Sequence, residues 1–175
     1  LAALASAQGV TPHKVSVREV QEIILNSGGY VFPYLDVKKN HQFFKSYQRI
    51  GATGILKGIG LNVGWENQTW FYPEGVLNLE DIDFSLFSHL SMDKNLESTY
   101  VEDVLDWLSS FPKIRDSDAI NWINDVDEIK QNLGIKDLTI GDKITRGQFS
   151  ILIDQLLNPF KIEIDLSGNI VSNKE

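Results

Sequence analysis

Apolar positions recur at helical spacing in several separate stretches of the chain and alternate with polar ones in others. Val17, Val20, Ile23 and Ile24 follow one another at helical intervals, and Ser16 opens S-V-R-E just ahead of them. In such a capping box the hydroxyl and the carboxylate each satisfy a backbone N–H that the first turn leaves open. The pattern predicts a helix over 17–27, stopped by Gly28 and Gly29. "YVFPYLDV" is interrupted by Pro33, which cannot donate to a sheet, so no central strand is expected there. "HQFFKSYQRI" places Phe44, Tyr47 and Gln48 on neighbouring turns of a short helix.

Beyond Gly51 the residues become β-branched, aromatic and glycine-rich, which predicts paired strands near 53–60 and 63–72, closed by Pro73 and Gly75. Helical signals return from about residue 80. Thr99 opens a second capping box, T-Y-V-E, before the stripe Val101, Val104, Leu105, Leu108 and Phe111, which ends at Pro112. Ile120, Ile123, Ile129 and Leu133 predict another helix, stopped by Gly134. Thr145 opens a third box, T-R-G-Q, leading through Phe149, Leu152, Ile153, Leu156 and Leu157 to Asn158-Pro159. "FKIEIDLSGNIVS" then alternates around Ser167-Gly168-Asn169, a hairpin pattern. The expected fold is α+β: mostly helical, with a central β hairpin and a C-terminal β hairpin. The expected division is 1–80 and 81–175, and the opening "LAALASAQGV" reads as the last turns of a helix cut from a longer protein.

Charge narrows the partners. The formal net charge is -8, and no cluster of Lys and Arg exists to displace counterions from a phosphate backbone, so nucleic acid is not expected. There is no cysteine, which removes disulfides, thiolate catalysis and Cys-ligated zinc while leaving the compartment open, a periplasmic or cell-surface setting included. No apolar run approaches the roughly 20 residues needed to span a bilayer.

Candidate chemistry concentrates in "RIGATGILKGIGLNVGWENQTWF". Gly58, Gly60 and Gly64 invite a dinucleotide reading, but that motif needs a helix N-terminus after the glycines to hold the pyrophosphate, and "WENQTWF" is strand-like. Glycines for tight turns and close backbone approach are the simpler account. Trp65, Trp70, Phe71 and Tyr72 offer flat faces for a sugar or a flavin ring; on a strand Trp70 and Tyr72 share one side and Phe71 takes the other. Asn67 and Gln68 add amides, so Trp65, Asn67, Gln68 and Trp70 are the substrate-binding candidates. His13, His41 and His89 are too scattered to imply a metal or a triad, and no catalytic residue is assigned. "DSDAINWINDVDEIK" lacks the central Gly and terminal Glu of a calcium loop and reads as a solvated helix face. Arg49, Lys57 and Arg146 qualify as anion contacts by charge alone, with surface ion pairs as the ordinary alternative.

The same glycine- and tryptophan-rich run, preceded by "LAALASAQGVTPHKVSVREVQEIILNSGGYV", resembles the C-terminal portion of bacterial FAD-dependent oxidoreductases of the large family often loosely described as xanthan lyase-like. The likeness covers roughly residues 1–80 and is carried mainly by I-G-A-T-G-I-L and N-Q-T-W-F. It implies a flavin-binding domain N-terminal to this chain as partner, FAD in the full-length protein and none held by these residues, and a small-molecule or glycan substrate. Leu1, Ala2, Ala3 and Leu4 match only the far end of the family's glycine-rich helix. "ITRGQFSILIDQLLNPF" is similar to the helix of surface-layer homology repeats, with Gln148 near the position of that motif's acidic residue, and also to the ending of the flavin family. The resemblance implies a C-terminal part that is inactive alone. A carbohydrate or cell-surface binding module, or an interaction domain without a small ligand, are the alternatives.

Overall fold

The structure, a computed structural model, describes residues 15–63, 66–92, 94–160 and 163–164, with backbone alone at 61–63, 66–68 and 163–164. The chain forms two compact units, a smaller one containing 15–31, 160 and 163–164, and a larger one spanning Phe32–Pro159. The expected boundary near residue 80 falls within the larger unit.

In the smaller unit β1 (Val15–Ser16) pairs antiparallel with β4 (Glu163–Ile164), Val15 opposite Ile164. α1 (Val17–Asn26) starts where the capping box predicts: the Ser16 hydroxyl accepts from the Glu19 amide at 3.2 Å, and the Glu19 carboxylate accepts from the Ser16 amide at 2.7 Å. Gly28, with φ of 82°, follows the helix in the left-handed region that glycine reaches without a Cβ penalty. The expected hairpin partner of Glu163–Ile164 and the expected helix at the start of the chain lie outside the described residues.

The larger unit begins with α2 (Phe44–Thr53), which ends on Gly54 in the left-handed conformation. This corrects the strand expected from residue 53, because the helix carries the chain to Thr53 and pairing begins only at Ile59. β2 (Ile59–Val63) and β3 (Glu66–Trp70) form the central antiparallel hairpin, with Ile59 opposite Trp70 and Val63 opposite Glu66. Short 3₁₀ turns at Leu79–Asp81 and Phe84–Leu90 lead into α3 (Val101–Ser109). Here Thr99 does not cap. Its carbonyl accepts from Ile144, Tyr100 takes the N-cap position, and Glu102 accepts from the Gly141 amide at 2.9 Å, so a pairing with a distant segment wins over the local box.

Pro112 opens α4 (Pro112–Arg115) as its first residue, where a missing N–H costs nothing. The expected continuous helix over Ile120–Leu133 is instead a 3₁₀ turn, Asp118–Asn121, followed by α5 (Val126–Leu133). Asp125 sits at the break and accepts from the amides of Asp127 and Glu128. The acidic run therefore supplies caps and a first turn, which suits carboxylates against the positive end of a helix. α6 (Arg146–Leu152) follows the Thr145–Gln148 box and runs on as a π-helical turn, Ile153–Leu157, ending at Asn158 with φ of 44°. The fold is α+β and mostly helical among the described residues. Its core gathers around Trp107, whose ring meets Phe87 and Phe111 edge-on at 5.6 and 5.0 Å and stacks on Phe149 at 6.3 Å.

Candidate functional site

The β2–β3 hairpin carries the sequence candidates. Trp65 lies outside the described residues. Asn67 and Gln68 sit on β3 opposite Asn62 and Leu61, in adjacent register positions and therefore on opposite faces of the hairpin. Trp70 is half-buried, Phe71 is fully buried, and Tyr72 is exposed. Phe71 and Tyr72 lie just beyond the end of β3, and the Trp70 and Tyr72 rings stack at 6.4 Å with 21° between their planes.

That display is held from behind. The Asp36 carboxylate accepts from the amides of Phe71 at 2.8 Å and Tyr72 at 2.7 Å, and Tyr72 takes a positive φ of 53°. Phe71 stacks on Tyr47 at 4.9 Å and meets Tyr34 edge-on at 5.1 Å. Its carbonyl accepts from Arg146 Nε at 2.8 Å. The same guanidinium donates to the Lys57 carbonyl at 2.6 Å and the Asp81 carboxylate at 3.2 Å, and lies over the Phe71 ring. Burial pushes its ionisation down, with Asp81 opposing that shift.

Arg146 is therefore a buried clamp and not an anion contact at the surface. Arg49 is likewise turned inward, where its Nε and Nη2 meet both oxygens of Asp154 at 2.7 Å and Ser46 donates to the same carboxylate at 2.6 Å. Lys57 is exposed, and its carbonyl is what holds Arg146.

The glycines of this region make room for Tyr34. A Cβ on Gly51 would fall on the Tyr34 hydroxyl, and one on Gly58 would come within 2.7 Å of its ring and 2.6 Å of Thr69 Cγ2. Gly58 enters a strand that pairs with another strand, so no helix N-terminus follows to receive a phosphate. The Tyr34 hydroxyl is buried without a hydrogen-bond partner among the described residues, and burial pushes its pKa up to about 12, Arg146 opposing and Asp36 reinforcing the shift.

A second concave site escaped the sequence reading. A cleft of about 340 Å³ opens in the larger unit between the start of α2, residues 73–74, residues 134–137 and the N-terminal end of α6. Its walls include His41, Tyr47, Glu74, Lys136, Asp137 and Gln148. Tyr47 is 3% exposed, and its hydroxyl has no protein partner among the described residues. Burial, with Glu74 adding to it, raises the ionisation of this phenol well above the usual tyrosine range. The His41 ring lies 5.3 Å from the Tyr47 ring, and its Nδ1 accepts from the Phe43 amide at 3.1 Å, so the neutral imidazole carries its proton on Nε2. These side chains come from segments separated by scores of positions, and no local spacing announces them.

Among the described residues no helix is long and apolar enough to cross a membrane, and no group of three or more His, Cys, Asp or Glu side chains is placed to hold a metal ion. No protein-family model matches the chain, and comparisons with curated proteins and with solved structures return no match.

Proposed function

We propose that this chain is the C-terminal, non-catalytic part of a bacterial FAD-dependent oxidoreductase, in which the β2–β3 hairpin contributes surface on the substrate side. A flavin-binding domain N-terminal to it would supply the cofactor, and hydride chemistry belongs to the flavin. The enzyme reading rests on the resemblance of residues 1–80, and the observation that supports the hairpin's part in it is the backbone at Tyr72. An aromatic residue at positive φ costs on the order of 1 kcal/mol, and here Asp36 holds that geometry with two amide hydrogen bonds while Trp70 and Tyr72 are displayed together. Strain maintained by its surroundings where an exposed Tyr72 stacks on a half-buried Trp70 supports a ligand-facing role.

In the full-length enzyme, alanine at Trp65, Asn67, Gln68 or Trp70 is expected to raise KM while FAD content stays unchanged. Activity untouched by all four substitutions would defeat the site assignment. Titrating FAD into this chain alone is expected to leave flavin fluorescence and the melting temperature as they were, and micromolar binding would overturn the division of labour.

The small angle between the Trp70 and Tyr72 rings also favours a second reading, a carbohydrate or cell-surface binding module, because near-parallel faces suit the C–H face of a sugar. Selective retention of this chain on a glycan array that Trp70→Ala abolishes supports the module, and blank arrays or retention unchanged by that substitution support the enzyme part.

A further inference from the structure

We infer that the cleft beside Tyr47 is a binding site for a small neutral polyhydroxyl ligand of the monosaccharide or disaccharide class, separate from the hairpin surface. Three observations converge on it. The cavity of about 340 Å³ lies at the small end of ligand pockets, which run from roughly 300 to 1,000 Å³. Tyr47, almost wholly buried, brings to its wall a hydroxyl that no protein group satisfies among the described residues. The ring is buried while the hydroxyl itself reaches the open cleft, where water satisfies it in the free protein and a ligand oxygen would take that water's place.

The third observation is Gly147, in the first turn of α6. A Cβ there would come within 2.8 Å of both the Tyr47 hydroxyl and the Pro73 carbonyl. Glycine inside a helix costs about 1 kcal/mol relative to alanine, and at this position it keeps open the wall that the phenol occupies.

The lining selects the ligand class. Glu74, Asp137 and Asp142 stand against Lys136 and Lys143, so the lining carries both signs and matches neither a lone anion nor a lone cation. Hydroxyl groups, each both donor and acceptor, satisfy carboxylates and ammonium groups alike. The phenol is protonated through the neutral range, as tyrosine ordinarily is, so it can donate to a ligand oxygen while accepting from another. His41, exposed, and Phe43, half-buried, give the C–H face of a pyranose an aromatic ledge beside the Tyr47 hydroxyl.

The test is a ¹⁵N–¹H NMR titration of the whole chain with glucose, galactose, mannose and N-acetylglucosamine, each taken to tens of millimolar. At least one sugar is expected to shift the amides of Phe43, Gly147 and Gln148 in a saturable manner. Tyr47→Phe is expected to weaken that binding about tenfold without lowering the melting temperature, since the hydroxyl it removes satisfies nothing in the free protein. Glu74→Gln should weaken binding as well. Trp70→Ala should leave the titration unchanged, which separates this site from the hairpin. Absence of saturable shifts with all four sugars, an unaltered titration in Tyr47→Phe, or an equal loss in Trp70→Ala would each overturn the inference.

Discussion

Arg146 is one side chain with three partners, and its neighbours are arranged around it. Arg146→Met would leave the buried Phe71 carbonyl, the part-buried Lys57 carbonyl and the partly buried Asp81 carboxylate without their donor, and should cost on the order of 3 kcal/mol in urea unfolding. Arg146→Lys keeps the charge but replaces a planar fork with a single ammonium, and should recover only part of the loss. Tyr34 makes a different prediction, at high pH. Its folded pKa, about 12, lies above the ordinary value of 10.0, so the folded state holds the proton after the unfolded chain has released it. The stability this provides is complete below pH of about 10 and is lost as pH rises through about 12. Tyr34→Phe should therefore flatten the fall in melting temperature over that window. Tyr34→Phe and Tyr47→Phe should each also remove one phenolate equivalent from the alkaline end of an absorbance titration.

Two elements far apart in sequence, α2 and the π-helical turn after α6, are tied by the Arg49–Asp154 pair, with both side chains almost fully buried. Asp154→Ala strands a buried guanidinium and should cost about 3–5 kcal/mol, whereas Arg49→Met combined with Asp154→Leu should restore most of it. Chemical denaturation of the two single variants and the double variant measures this directly. What the sequence disclosed at this scale follows from how local each signal is. Ser16 and Thr145 announce their helices because a capping box is complete within four residues. Thr99 shows the same letters and does not cap, since its backbone is engaged by Ile144, some 45 positions on. The hairpin at 59–70 was legible from β-branched and aromatic residues, but its start was misplaced because Gly51 and Gly54 belong to a helix and its cap. The buried roles of Arg49 and Arg146 could not be read, because charge alone does not distinguish a clamp from a solvated side chain.

At the scale of the whole molecule, nearly all buried apolar side chains belong to the Phe32–Pro159 unit; Leu25 and Phe160 are the exceptions among the described residues. A chain restricted to residues 32–159 should therefore keep a cooperative thermal transition and the near-ultraviolet circular dichroism of the Trp107 cluster. Loss of either in the shortened chain would contradict this. The cleft at Tyr47 belongs to this scale too, since it exists only once 41–47, 73–74, 134–137 and 142–148 have come together. Tyr34, filling the space left by Gly51 and Gly58, also constrains how such a sequence can diverge. Any lineage acquiring a methyl at Gly51 must first have traded the phenol for something smaller, so viable histories through those two codons run in one order and not the reverse.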